Sequence, residues 1–219
     1  RGEGIHHLSI EAPDFDRVLD TLERGGVRVV DRFEAGDDKT AFISPRSAFG
    51  TLIQFWNHFE PEPSYPAVAV HHYDGVPVRV RVNHMAIAVR DLDASLIFFE
   101  RFFPVTRGRP PHVGYDPSFR FTNFHVGHYK IELIAPNPGA SPGFLERFFA
   151  MRGEGFHHVS FDVDRLDPVL AALERDGVRI TDRSRSPQGR HTAFISPRSA
   201  FGVLIQFWER PELAAEPAP

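Results

Sequence analysis

Thr40-Ala41-Phe42-Ile43-Ser44-Pro45-Arg46-Ser47-Ala48-Phe49-Gly50 returns without a single change at Thr192–Gly202. Eleven identical residues do not recur by chance, and an internal repeat sets the architecture before any individual element does. The match extends outward in both directions. Gly2-Glu3-Gly4 with His6-His7 returns as Gly153-Glu154-Gly155 with His157-His158. Leu22-Glu23-Arg24 returns as Leu173-Glu174-Arg175, and Leu52-Ile53-Gln54-Phe55-Trp56 as Leu204-Ile205-Gln206-Phe207-Trp208. A module of about 55 residues therefore stands at both ends of the chain.

The last copy predicts the order β-α-β-β-β. Gly155–Val163 alternates, with Val159, Phe161 and Val163 on one face and His158, Ser160 and Asp162 on the other. Asp164–Asp176 carries Val169, Leu170 and Leu173 on one helical stripe, and Gly177 is placed to end that helix. Strands are expected around Val178–Thr181, His191–Ser196 and Val203–Trp208, with Pro197–Gly202 as the turn between the last two. The first copy has the same order, with Val18, Leu19 and Leu22 as its stripe. A diverged third copy lies between them: a strand at Val82–Val89, a Phe-rich helix at Leu92–Phe103, and strands around Phe119–Val126 and Tyr129–Ile134. One spacing ties the three together. His158 precedes Gln206 by 48 residues, His84 precedes Glu132 by 48, and His7 precedes Gln54 by 47.

The fold class is therefore α+β, built from repeated βαβββ modules that pair into curved sheets. The expected organisation is a half-domain at 1–58, a linker at 59–80, a complete domain at 81–211 made of modules 81–137 and 153–210, and a tail at 212–219. The linker reading rests on Pro61, Pro63, Pro66 and Pro77, since proline sustains neither a helix interior nor a central strand. His71 and His72 are expected in solvent. The chain begins at Arg1 inside a motif, so an upstream half that would complete the first module is expected; another subunit is the alternative.

The formal net charge of −4 on 219 residues implies no polyanion, so no nucleic-acid partner is expected. No apolar run reaches 18 residues, so no membrane span is expected. The absence of Cys removes disulfides, thiolate metal sites and a Cys nucleophile, and fits a cytoplasmic location. The 21 Phe residues predict aromatic cores, and Phe98, Phe99, Phe102 and Phe103 should form core or an interface between modules. Exposed module edges favour a homodimer.

Alternation places His84, Ala86 and Ala88 on one face of their strand, leaving room above the imidazole. Gln206 opposes Ile205 and Phe207, and Glu132 opposes Ile131 and Leu133. Each module thus offers a His from its first strand and a Glu or Gln from its last. Two modules together offer His84, Glu132, His158 and Gln206, a donor set that suits one divalent ion such as Co, Ni, Mn, Zn or Fe. An acid on an inward face is costly unless paired or metal-bound. His157 should point toward the apolar layer or a strand end. His7 and Gln54 make half of such a site. The Pro197–Gly202 segment reads first as turn chemistry; the functional alternative has Arg198 gripping a substrate carboxylate or phosphate.

With these residues in place, the paired modules resemble the vicinal oxygen chelate superfamily, which includes glyoxalase I, methylmalonyl-CoA epimerase, bleomycin-resistance proteins and extradiol dioxygenases. Asn83–Val89, Lys130–Leu133, Gly155–His158 and Ser196–Ser199 with Gly202–Gln206 look most like the epimerase branch. The resemblance implies metal ligation by His84, Glu132, His158 and Gln206. It departs from the epimerases at two positions, which typically hold Gln and Glu where this chain has Glu132 and Gln206. A further family acid falls near Thr122, where no carboxylate stands, so Glu132 is the obvious base, as well as a candidate ligand. The expected activity is that of a divalent-metal-dependent isomerase, epimerase or lyase acting through a metal-stabilised enolate on a small oxo-acid or thioester. A non-haem Fe(II) dioxygenase, using two His and one carboxylate, is one alternative. A metal-free small-molecule binder of the bleomycin-resistance kind is another.

Overall fold

A computed structural model describes residues 2–57, 67–185, 189 and 191–216 of the chain. In chain order the elements are β1 (Leu8–Glu11), α1 (Phe15–Arg24), β2 (Val29–Ala35), β3 (Asp38–Ile43), β4 (Ile53–Trp56), β5 (Ala69–Tyr73) and β6 (Val76–Ala88). There follow α2 (Leu92–Phe102), β7 (Val105–Arg107), β8 (His112–Val113), β9 (Phe119–Val126), β10 (Tyr129–Pro136) and α3 (Phe144–Arg152). The last module is β11 (Gly155–Val163), α4 (Asp167–Arg175), β12 (Ile180–Arg185), β13 (His191–Ile195) and β14 (Ile205–Glu209). The β-α-β-β-β order holds in both repeats. Two compact units result, the first of Arg1–Ile5, Pro63–Ala86 and His157–Pro219, the second of His6–Glu62 and Ile87–Phe156.

In the first unit the strands run β12-β13-β14-β11-β6, with β5 added on β6. β11 and β14 are parallel, with Ser160 opposite Gln206 and Phe161 opposite Phe207. The face that alternation assigned to the helix packs under α4: Val163, Ala193, Ile195 and Phe207 form one core with Val169 and Leu170. Gly177 ends the helix turn at φ +77°, a left-handed conformation that costs glycine little.

The linker expected at 59–80 needs correction over its second half. Its first part, through residue 66, lies outside the described residues, but Ala69–Tyr73 and Val76–Val80 form a hairpin. Pro77 is tolerated because it lies where β6 pairs only with the outer strand β5, opposite His72. Apolar alternation outweighed the proline signal: Val78 is fully buried in the α4 core, with Tyr73 and Val80 packed against it. Polar ties fasten the hairpin. Asp164 Oδ1 accepts from Arg79 N–H at 2.9 Å, Arg175 pairs with Asp74, and the Arg165 guanidinium donates to the Pro77 carbonyl. His71 and His72 are exposed, as expected.

In the second unit β1-β4-β3-β2 form a four-stranded sheet, and β10 pairs with β9, which in turn pairs with β7 and β8. Val89 N–H donates to the Ile134 carbonyl at 2.9 Å, joining the end of β6 to β10. Asp91 caps α2, its carboxylate accepting from Asp93 and Ala94 N–H. The Phe-rich face of α2 joins the first and middle modules: Phe103 stacks on Phe55 at 5.6 Å, Phe98 meets Phe49, and Phe99 packs on Phe124. Helix α3 was not anticipated. It follows Gly143, whose N–H donates to Glu146 Oε2 at 2.6 Å.

The eleven-residue repeat earns its constancy twice over. Ser44 and Ser196 each cap a short turn, accepting from the N–H of Arg46 and Arg198. The closing glycines, Gly50 and Gly202, have φ of +75° and +78°. Each lies against the backbone of a Gly-Glu-Gly segment from the other copy: Gly50 against the Glu154 carbonyl, Gly202 against that of Glu3. A Cβ on either would run into backbone, which cannot yield as a side chain can. Gly202→Ala is therefore expected to destabilise the protein by about 1–3 kcal/mol, read as a lower midpoint in urea unfolding, whereas Gly189→Ala, at a glycine whose added Cβ meets open space, isolates the cost of positive φ alone.

Candidate metal centre

Strands β6 and β11 are neighbours in the first unit, and each brings one histidine to the same place. His84 and His158 are both 6% exposed, and their Nε2 atoms stand 3.0 Å apart with the rings nearly perpendicular. Two imidazole nitrogens bound about 2.1 Å from one divalent ion, at right angles across it, are separated by about 3 Å. Gln206, from β14, lies beside this pair, 4% exposed; its Oε1 is buried and makes no hydrogen bond of full geometry, only a weaker approach to the His158 ring. A buried amide oxygen so poorly satisfied is costly, a cost that a cation would relieve. Ser160, cross-strand neighbour of Gln206 and on the same face as His158, also has a buried hydroxyl without a partner. The residues present thus fit a divalent ion.

The electrostatics suit ligation. Burial holds His158 well below the usual imidazole range, and the neighbouring His157 and His84 push it further the same way, while the Gln206 side chain pulls weakly back. A neutral imidazole keeps a lone pair for a metal. In the second unit, Glu132 sits mid-strand on β10 between buried Ile131 and Leu133. Burial lifts its carboxyl to about 7, with Lys130 pulling the other way.

His157 is partly buried and meets His158 Nδ1 to Nδ1 at 2.9 Å, rather than sinking into the apolar layer. Arg198 is exposed on its turn. Thr122 is buried and donates to the Arg109 carbonyl at 2.6 Å. In the first module His7 packs edge-on to Phe42 as His158 does to Phe194, and Gln54 Nε2 donates to Thr40 Oγ1 at 3.0 Å. Strand β1, however, ends its sheet, whereas its counterpart β11 lies between β14 and β6. Among the described residues His7 joins no group of metal-capable side chains.

Sequence reasoning passed over Asn83 and Asp162. Asp162 is 1% exposed and accepts from Asn83 Nδ2 at 2.7 Å and Arg81 Nη2 at 3.0 Å. Arg210 Nε approaches it at 3.4 Å. The signal was present: an acid two residues beyond Ser160 on the same strand face needs a partner, and Arg81 and Asn83 lie on a neighbouring strand.

With this geometry established, the comparisons place the chain. Residues 83–194 match the family described as the Glyoxalase/Bleomycin resistance protein/Dioxygenase superfamily. The protein YqjC of Bacillus subtilis (strain 168) is 32% identical over 131 residues, covering 59% of this chain and 91% of YqjC. The mitochondrial methylmalonyl-CoA epimerase of Bos taurus is 30% identical over 131 residues, 58% of this chain and 72% of the relative. The crystal structure of methylmalonyl-CoA epimerase from Mycobacterium tuberculosis superposes with a TM-score of 0.51 at 28% identity, over 62% of this chain and 91% of that one. The chain belongs to the glyoxalase/bleomycin resistance protein/dioxygenase superfamily.

The raised carboxyl of Glu132 has a consequence for metal-free protein. Between about 4.5 and 7 the folded chain keeps a proton that the unfolded chain has released, so stability is lost as pH rises through that window. Glu132→Gln removes the dependence. Relative to the parent, the variant should gain in melting temperature from pH 4.5 to pH 7 and hold a constant difference above it; a difference that does not change with pH in that range would show that Glu132 titrates normally.

Proposed function

We propose that residues 81–211 form one complete domain of this superfamily, of modules 81–137 and 153–210, and that it is a divalent-metal-dependent epimerase-type enzyme acting on an acyl-CoA thioester or a related small oxo-acid. The observation that carries the reading is the convergence of the His84 and His158 Nε2 atoms beside the poorly satisfied Gln206 Oε1, in a chain whose bovine and mycobacterial relatives are methylmalonyl-CoA epimerases. His84, Glu132, His158 and Gln206 would be the metal ligands. Residues 1–58 would be half of a further domain.

A divalent ion held there supplies Lewis acidity toward the carbonyl oxygens of the substrate. The protein's own work is binding and proton transfer. Glu132 is the carboxyl placed to take the proton from the carbon next to the carbonyl and to return it. Gln206 can hold an oxygen donor in place but cannot take a proton, so one carboxyl serves both directions. Ala86 and Ala88, both fully buried on the His84 face of β6, occupy little of the space beside the imidazole. Arg198, exposed on its turn, would meet an anionic end of the substrate. No helix among the described residues is long and apolar enough to cross a membrane.

The test combines elemental analysis with exchange. Purified protein should carry about one divalent ion per chain; the double variant His84→Ala, His158→Ala should carry none, and His7→Ala should carry as much as the parent. With methylmalonyl-CoA in deuterated water, metal-loaded protein should exchange the proton on the substituted carbon, followed by NMR. Because a single carboxyl reprotonates the planar enolate faster on the face it left than on the opposite one, exchange should outrun inversion. Glu132→Gln should slow exchange by roughly 10²- to 10⁴-fold. Oxygen consumption with Fe(II) and no exchange would assign the site to an oxygenase instead.

A further inference from the structure

We infer that Asp162 and Asn83 are positioning residues that lock His84 into its metal-ready tautomer, leaving His158 as the histidine that must rearrange when an ion binds. The inference rests on the metal reading above, but its first test does not.

The hydrogen bonds run outward from Asp162. Asp162 is buried on β11, and its carboxylate can only accept. Its Oδ2 accepts from Arg81 Nη2 at 3.0 Å, and Arg81 is itself tied through Nη1 to Glu216 at 2.8 Å. The group facing Asp162 Oδ1 at 2.7 Å must therefore be the amide nitrogen of Asn83, not its oxygen. That settles which way the Asn83 amide points. Its Oδ1 then faces His84 Nδ1 at 2.7 Å. An amide oxygen only accepts, so His84 Nδ1 carries a hydrogen, and with the ring neutral, as ligation requires, Nε2 holds a lone pair.

The chain of roles continues across the pair. With His84 Nε2 an acceptor, the 3.0 Å contact to His158 Nε2 requires the hydrogen to reside on His158 Nε2. His158 Nδ1 then accepts from His157 Nδ1, 2.9 Å away. Ligation through Nε2 needs no change at His84. At His158 the hydrogen must leave Nε2, and Nδ1 must gain one, with His157 Nδ1 becoming the acceptor. His157 is only partly buried, which gives that exchange a route to water. A carboxylate acting through a neighbour on a ligating histidine both orients the ring and raises its donor strength, and loss of such a partner costs roughly 10- to 100-fold in metal affinity.

Two measurements decide it. Long-range ¹H–¹⁵N NMR on metal-free protein should show His84 as the Nδ1–H tautomer and His158 as the Nε2–H tautomer; the reverse assignment overturns the proposal whether or not metal binds. Isothermal titration with Co(II) should then show Asn83→Leu and Asp162→Asn binding 10- to 100-fold more weakly than the parent, with His84 in a mixture of tautomers. Asn83→Asp, which still accepts from His84 Nδ1, should keep the tautomer. Folded variants with unchanged tautomer and unchanged Co(II) affinity would sink the idea. A parent that shows the assigned tautomers yet binds no Co(II) would overturn the metal reading alone, and if the substitutions prevent folding, the parent spectrum still decides the tautomers.

Discussion

A single buried carboxylate organises the centre of the first unit. Asp162 is almost wholly removed from water, and an unpaired charge there would cost several kcal/mol. It is held because Arg81 and Asn83 come from β6 and Arg210 from just beyond β14. Those partners fit only one register of β6 against β11. A slip of one residue would turn every side chain of β6 to the opposite face, removing Asn83 from Asp162 and His84 from His158 together. The same contacts that satisfy the acid therefore bring the two imidazoles to 3.0 Å. The stability of the sheet and the chemistry of the site are one constraint.

The two repeats show what that constraint adds. Ser160 and Asp162 are buried, while Ser9 and Glu11, at the same places in the first copy, are exposed. Local sequence is nearly the same; the neighbour is not. β11 has β6 beside it, and β1 ends its sheet. His7 keeps the edge contact to an aromatic ring that His158 has and meets its chain neighbour His6 as His158 meets His157, yet of the two only His158 meets an imidazole from a neighbouring strand, that of His84. Conversely, the Gly-Glu-Gly segments, which look like bland loop in either copy, each press against the closing glycine of the other copy's turn. The eleven-residue identity thus reflects two demands, a capped turn and a close backbone approach.

Much of the fold was legible. The helix stripe Val169–Leu170–Leu173, the alternation of His158–Val163 and the Phe face of α2 all packed as their periodicity required. Legibility failed where two local signals conflicted. Pro77 argued for a linker, but Val78 and Val80 alternate as a strand should, and burying them against α4 outweighed one lost ladder bond at a position paired only with β5. Helix α3 was missed because Gly143 and the preceding prolines gave no usual N-cap residue; its Glu146 side chain supplies the cap by reaching back.

The sequence by itself determined which side chains could bind: a histidine early and an amide or acid late in each module, at constant spacing, on the polar face of an alternating strand. Those properties are local, set by a two-residue period and by duplication. Only the tertiary structure decided that His84 faces His158, that Gln206 Oε1 is buried without a full hydrogen bond, and that Asn83 and Asp162 stand behind the pair. Which strand lies beside which is settled by burial and by charge pairing between segments some 80 residues apart, and no local pattern records that choice.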